Sequence, residues 1–284
     1  MSAVDYGLAA GVLLVTYSVN LLYITVFYHR AFTHGGIDLR AGVRRFAWMT
    51  SKWVTGLDLK AWVCMHRIHH RNADTPLDPH SPSHVGVFGV ALAQLRAYRE
   101  IRDGLARGEP QLCAVVEDLG GDLHWLTRSG AWFTGTAVHL GLAGLTGMAC
   151  GSWLPGAAYL VGMSSHPLQG WLVNSLGHAV GSRNFDTPDQ SRNNRVAAWL
   201  VWGEGLQNNH HAYPGSARFS YRWWEPDFGF HVCRAMERLG LLRVRRDKLI
   251  PRPSQAGLAR AGDTEIDAIP AITRGDRLKT ARRR

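Results

Sequence analysis

SGAWFTGTAVHLGLAGLTGMAC (129–150), GSWLP (151–155) and GAAYLVGMSSHPLQGWLVNSLGHAVGS (156–182) form one continuous run without Asp, Glu, Lys or Arg. A helix rises about 1.5 Å per residue and a hydrocarbon core is about 30 Å thick, so a crossing takes about 20 apolar residues. The run therefore holds two crossings joined by a tight turn at Gly151–Pro155. A second uncharged stretch, Tyr6 to Tyr28, is one crossing long. It lacks a basic leader and a small-residue cleavage site and runs directly into histidines, so it reads as a span and not as a cleaved signal peptide.

The 284 residues have a mean hydropathy of −0.13, an average that conceals this partition. The net charge of +10 lies outside the spans. Arg30, Arg40, Arg44, Arg45, Lys52 and Lys60 follow the first span, whereas the turn at 151–155 carries no basic residue. By the positive-inside rule the basic segments, which hold the histidines, are cytoplasmic, and the turn at 151–155 is not. No nucleic-acid-binding motif accompanies the charge, which suits anionic lipid headgroups and phosphate-bearing substrates. Cys64, Cys113, Cys150 and Cys233 show no CxxC pairing and read as structural thiols.

An all-α fold follows: an integral membrane helical bundle of about three transmembrane spans with a cytoplasmic helical cap. If the chain reaches the cytoplasm at Tyr28, residues 29–128 lie there, the hairpin 129–182 goes out and returns, and the C-terminal part is again cytoplasmic. Residues 43–63 are apolar but contain Arg44, Arg45, Lys52, Asp58 and Lys60 and read as an interfacial amphipathic helix. Residues 86–107 read as another. Residues 1–250 form one membrane-embedded unit, and 251–284 read as a disordered basic tail.

This topology gathers every histidine cluster on one side. His29-Arg-Ala-Phe-Thr-His34 follows the first span, and His66-Arg-Ile-His69-His70 lies in the first cytoplasmic segment. Asn174-Ser-Leu-Gly-His178 ends the hairpin, and Gln207-Asn-Asn-His210-His211 follows it. The spacings i, i+3, i+4 place His66, His69 and His70 on one helix face, and likewise Gln207, His210 and His211; Asn174 and His178 share a face at i, i+4. His29 and His34 diverge by about 140° on a regular helix, so they converge only where the helix bends or ends, or else they serve different metals. Eight imidazoles are too many for one ion and about enough for two. A nitrogen-rich, carboxylate-poor set excludes calcium and magnesium and suits iron, zinc or copper.

These motifs resemble the membrane-bound fatty acid desaturases, in particular the acyl-CoA Δ9 (stearoyl-CoA type) group and its bacterial relatives. The resemblance rests on the four clusters, on Asp78-Pro79-His80-Ser81-Pro82, and on Gly203-Glu204-Gly205-Leu-Gln207-Asn-Asn-His210-His211-Ala-Tyr-Pro214, in order over roughly residues 8–230. It implies a di-iron centre held by His29, His34, His66, His69, His70, His178, His210 and His211, with Asn174 bound through water. It also implies O2 as co-substrate, a fatty acyl-CoA or other acyl thioester or lipid as substrate, and an external ferredoxin- or cytochrome-type electron donor. The expected setting is a bacterial inner membrane with the active site on the cytoplasmic side. An unactivated methylene has no acidic proton, so the chemistry belongs to the metal pair while the protein supplies position and a dry tunnel.

Two departures stand out. The last cluster begins with Gln207 where such enzymes carry His; an amide oxygen is a weaker donor, so the metal shell is altered, a water fills the gap, or activity has shifted or been lost. The chain also has room for one span, not two, before the first cluster. Glu204 reads either as a partner that holds the tautomer of a ligating imidazole or as a solvated acid. Asp74 and Asp78 read as turn residues, with the Asp78-Pro-His80 turn placed to orient the second cluster. His80, His84, His124 and His231 fall outside the metal set, and His139 and His166 read as structural. Trp199, Trp202, Trp223 and Trp224 fit interfacial anchoring; Arg71, Arg183 and Arg192 are candidates for a phosphate or for an ordinary basic surface. A di-iron lipid hydroxylase and a non-catalytic zinc-binding membrane protein remain the competing functions.

Overall fold

A computed structural model of the chain describes residues 2–131 and 133–249; the tail expected at 251–284 lies outside the described residues. The chain is mostly helical. Helix α1 (Ala3–Leu21) is started by a capping box in which Ser2 and Asp5 satisfy each other's backbone amides. It continues without a break as a π-helix over Leu22–Thr33. Strand β1 (Ile37–Leu39) follows, then α2 (Ala41–Thr55), α3 (Leu59–Asn72), α4 (Pro82–Ala106), α5 (Pro110–Val115) and α6 (Trp125–Arg128). The hairpin is α7 (Phe133–Ala149) and α8 (Trp153–Met163), extended by α9 (His166–Trp171), a π-helical turn at Leu172–Leu176 and α10 (Gly177–Ala179). Helices α11 (Arg195–Leu200), α12 (Gln207–Ala212) and α13 (Phe228–Arg238) and strand β2 (Leu242–Val244) complete the described residues.

Helices α1, α7 and α8 pack side by side. Their contact depends on missing side chains: a Cβ on Gly162 would lie 2.8 Å from the Tyr17 backbone nitrogen, and one on Gly156 would lie 2.4 Å from the Ala143 carbonyl. The outward faces are apolar, with Leu14, Val15, Phe133, Leu140, Leu145 and Met148 all exposed. Among the described residues one helix, Ala3–Thr33, is long and apolar enough to cross a membrane. The uncharged hairpin turns at Gly151, whose φ is 61°, and Ser152 caps α8 through the Leu154 amide. Its second arm is not one continuous helix but is broken at Ser164–Ser165 and again by the π-turn.

The single interfacial helix expected over 43–63 is instead two helices. Gly56 closes α2 in the left-handed region (φ 74°), and Asp58 restarts the chain by accepting from the Lys60 and Ala61 amides. The first turns of α3 lie in the core rather than at an interface: Ala61, Val63 and Cys64 are fully buried. The second amphipathic segment is α4, kinked at Gly86. The core packs the π-helical segment, α3, α4, α5 and α13 around Tyr28, Trp62, Ile101 and Cys233. The all-α expectation misses one feature, an antiparallel two-stranded ribbon pairing Ile37 with Val244 and Leu39 with Leu242. This ribbon ties the backbone just after His34 to the end of the described chain, where Arg245 N–H donates to Gly36 and Ala217 N–H donates to Arg246.

Candidate metal centre

Four elements bring the eight clustered histidines together, in two adjacent groups: the π-helix with its end at His34, α3, α10 and α12. His29, His34, His66, His70 and His210 form the first, and His69, His178 and His211 the second; within each group the candidate ligand atoms lie within 4.8 Å of one another. The shared face expected for His66, His69 and His70 resolves into two edges. His66 and His70 turn into the first group and His69 into the second, so α3 runs between the groups. Helix α12 does the same with His210 and His211, consecutive residues about 100° apart on a helix.

The π-helix resolves the awkward spacing of His29 and His34. Its i→i+5 bonding, seen directly in the 3.2 Å bond from the His34 amide to the His29 carbonyl, widens the turn. Their ring centroids are consequently 4.9 Å apart. A second π-turn carries Asn174, four residues before His178.

In the first group, four Nε2 atoms form a closed ring. His29 is 2.9 Å from both His66 and His210, and His70 is 3.0 Å from both. His34 Nε2 is buried without a partner. His29 turns its Nδ1 to Glu204, and so presents a bare lone pair to both its neighbours in the ring. Where the other rings also carry their proton at Nδ1, the facing lone pairs repel unless a cation lies between them. Metal–nitrogen bonds of roughly 2.0–2.1 Å set neighbouring nitrogens about 2.9–3.0 Å apart in a square arrangement, and about 3.3–3.4 Å apart in a tetrahedral one. The observed ring has the square spacing, with His34 as a fifth donor.

In the second group, the Nε2 atoms of His69, His178 and His211 are all buried and unpartnered, and the ring centroids are 4.8–5.2 Å apart. Each Nδ1 meets a carboxylate: His69 meets Asp78 at 3.0 Å, His178 meets Asp74 at 2.9 Å and His211 meets Asp189 at 2.7 Å. Such pairing fixes the tautomer that leaves Nε2 free for a metal. Asn174 Oδ1 and Gln207 Oε1 are likewise buried without partners. Gln207 donates its Nε2 to the Glu204 carbonyl at 2.6 Å, which leaves its acceptor oxygen uncommitted. Orphaned buried polar atoms are costly, and here they are the groups a metal ion would use. The residues present fit two ions.

Burial, reinforced by neighbouring imidazoles, holds His66, His70 and His210 well below the ordinary pKa of 6.5. Burial lowers His211 to about 4 against the opposing pull of Asp189. These rings are neutral at pH 7, the state that ligates metal. Burial alone would raise the Asp74 carboxyl, but the hydrogen bonds from His178 and Ser81 hold it at about 2. His69 and His211, respectively, outweigh burial at Asp78 and Asp189 and hold both below the ordinary carboxylate range.

Glu204 is a buried partner of imidazole, not a solvated acid. It holds His29 Nδ1 and accepts from Arg30 at 2.5 Å. Arg30 is itself 1% exposed, paired with Asp227 at 2.9 Å and stacked 3.8 Å above the Phe219 ring. Asp74 and Asp78 do lie in a turn, Asp74 with φ 62°, but that turn also aims their carboxylates at His178 and His69.

Sequence reasoning missed Asp189 and Arg30. It also set aside His80, which is buried, stacked on His69 at 4.6 Å, and unpartnered at both nitrogens. The one available signal was the Asp-x-x-x-Asp-Pro-His run beside the second cluster. His139 is structural, bonded to Tyr159 and to the Trp53 carbonyl. His166 accepts from Trp62 Nε1 at 3.3 Å, and Trp62 in turn stacks on His66. Arg183 is engaged within its own loop, donating to the Thr187 and Asp189 carbonyls, so it is not a free phosphate ligand. Trp199 and Trp223 are exposed.

Comparison with known proteins agrees with this geometry. The fatty acid desaturase family profile matches residues 6–227. The chain is 32% identical to a Delta-9 acyl-lipid desaturase of Arabidopsis thaliana, over 87% of this chain and 77% of that protein. It is 34% identical to an acyl-CoA 5-desaturase of Anemone leveillei, over 76% and 65% respectively. It is 29% identical to a hex-5-enoyl-[acyl-carrier protein] acetylenase of Moorena producens, over 85% and 77%.

Proposed function

We propose that this chain, which belongs to the fatty acid desaturase family and is thus an acyl-desaturating oxidoreductase, introduces a cis double bond at Δ9 of a saturated acyl thioester or lipid ester. The observation that carries the reading is the pair of mostly buried imidazole groups, five and three: Nε2 of His34, His69, His178 and His211 has no protein partner, and the other four Nε2 atoms face only one another. Two irons so held would supply, with O2 and electrons from an external ferredoxin- or cytochrome-type donor, the oxidant that an unactivated methylene demands. His29, His34, His66, His70 and His210 would hold one, and His69, His178 and His211 the other. Gln207 would offer a weak oxygen donor and Asn174 a contact through water.

The remaining chemistry belongs to the chain itself. Asp74, Asp78, Asp189 and Glu204 hold imidazole protons at Nδ1 and so keep lone pairs turned inward. Trp62, stacked on His66 and bonded to His166, joins the histidine cap to the hairpin. Burial of the site keeps water from an oxidant that would otherwise attack indiscriminately. A five-imidazole group with square spacing argues against the tetrahedral, four-ligand habit of structural zinc, and so against the non-catalytic rival.

Three crossings are proposed: α1 with its π-helical extension, α7, and the broken arm from Trp153 to Ala179. The exposed apolar faces of α1 and α7 support this. The cap and its histidines would then face the cytoplasm, in a bacterial inner membrane. The relatives' names carry three kinds of acyl carrier, a lipid, coenzyme A and an acyl-carrier protein, so the carrier, thioester or lipid ester, is left open within the proposal. Expression in an unsaturated-fatty-acid auxotroph tests the whole reading. Gas chromatography should show a new cis-Δ9 acid and elemental analysis about two irons per chain. Inserted protein with a competent donor and no new double bond, or a hydroxylated product, refutes it.

A further inference from the structure

The two histidine groups are unequal in opposite ways. The first has five imidazoles but a single carboxylate behind them, Glu204 on His29. That charge is partly offset by Arg30, whose guanidinium is shared between Glu204 and Asp227, so the three side chains together carry one net negative charge. The second has three imidazoles, each backed by its own carboxylate. Among the described residues no Lys or Arg side chain pairs with the carboxylate of Asp74, Asp78 or Asp189; Arg183 reaches only the Asp189 backbone carbonyl. Their other partners are neutral: Asp74 accepts from Ser81 Oγ and the Gln190 amide, Asp78 from the Asp74 and His80 amides, and Asp189 from Thr187 Oγ1 and the Ser191 amide.

We propose that Asp74, Asp78 and Asp189 are positioning residues of the second metal position alone, and that this position depends on them to retain its ion. With Gln207 where a fourth imidazole could stand, the direct donors there are three nitrogens and weakly donating amide oxygens. A carboxylate accepting from Nδ1–H makes Nε2 more basic and locks the ring. Three carboxylates close behind the ligands, none in a direct ion pair with Lys or Arg, also stabilise a cation in a low-dielectric site. The first position has ligands to spare and little net charge behind them. The second has few ligands and the charge.

The inference rests on the two-metal reading, and the test separates the two. Full-length protein in nanodiscs is stripped with chelator and titrated anaerobically with 57Fe2+ alone, with retention followed by chelator competition and by Mössbauer spectra. Wild type should take up two irons with distinct quadrupole doublets. Asp189→Asn should weaken one position by about 10–100-fold and remove its doublet, leaving the other unchanged; Glu204→Gln should weaken the opposite one. Asp78→Asn, on a separate loop, repeats the Asp189→Asn measurement, so that a variant that fails to fold leaves the other to decide. Wild type binding fewer than two irons overturns the two-metal reading and this inference with it. Two irons in wild type, with a folded aspartate variant that loses both, neither, or the same one as Glu204→Gln, overturns this inference alone.

Discussion

Gln207 sits where it does because residue 177 is glycine: a Cβ on Gly177 would lie 2.6 Å from Gln207 Cγ. The residue preceding His178 thus makes room for the first residue of the last cluster, and the two segments close on the second histidine group together. Gly177→Ala should force Gln207 away. Overpacking of this kind costs about 1–3 kcal/mol, and desaturation should fall more than stability predicts. Thermal unfolding set beside product yield measures both, and a variant with native stability and native yield contradicts the packing argument.

Gln207→His should tighten metal retention at the second position. The amide is fully buried and its Nε2 bonds the Glu204 carbonyl. An imidazole can keep that bond through one nitrogen and turn the other, a stronger donor than an amide oxygen, inward. Slower iron loss to a chelator is the expected outcome, and faster loss would show that the pocket selects the amide.

Arg30→Met should destabilise the fold strongly. It leaves Glu204 and Asp227, both buried, without their cation, and breaking a buried ion pair from one side costs about 3–5 kcal/mol. Glu204 would also lose one of the contacts that aim it at His29. Denaturant unfolding of the metal-free variant isolates the electrostatic effect from metal loss; a change under about 1 kcal/mol would contradict it.

The metal-free protein should lose stability as pH falls below about 6.5. Unfolded imidazoles take up protons near that value, whereas folded His211 and His80 do so only at about 4 and about 3, chiefly because of burial. Between those values the unfolded state binds more protons. Each such ring therefore lowers stability by about 1.4 kcal/mol per pH unit, with the loss ending once the folded rings also protonate. Unfolding of chelator-treated protein followed across this range should show the decline, and a flat profile would contradict neutral, buried rings.

Much of the site was legible in the sequence, but not its division. Uncharged length located α1 and the hairpin, and histidine spacing marked eight converging rings but not His80, which stacks on His69. Helical periodicity puts residues i, i+3 and i+4 near one another without saying which edge each faces, so the separation of His69 from His66 and His70 needed the packing around α3. The convergence of His29 with His34 needed an i→i+5 turn, which leaves no compositional mark. The carboxylates were harder still. Asp189 lies 22 residues from His211 in a loop whose Thr-Pro-Asp composition signals a turn and nothing more. The Gly56–Asp58 break in the presumed interfacial helix was visible as residue types, a C-terminal glycine followed by a capping aspartate, and was outweighed by the apolar content around it.

His29 touches His210 across 181 residues of chain. At a synthesis rate of about 5–20 residues per second, the second imidazole leaves the ribosome roughly 10–40 s after the first. During that interval the earliest histidines of the ring are exposed, incomplete and able to capture whichever ion is at hand. Correct loading is therefore an event of biogenesis as much as of affinity, decided only once α12 has been made.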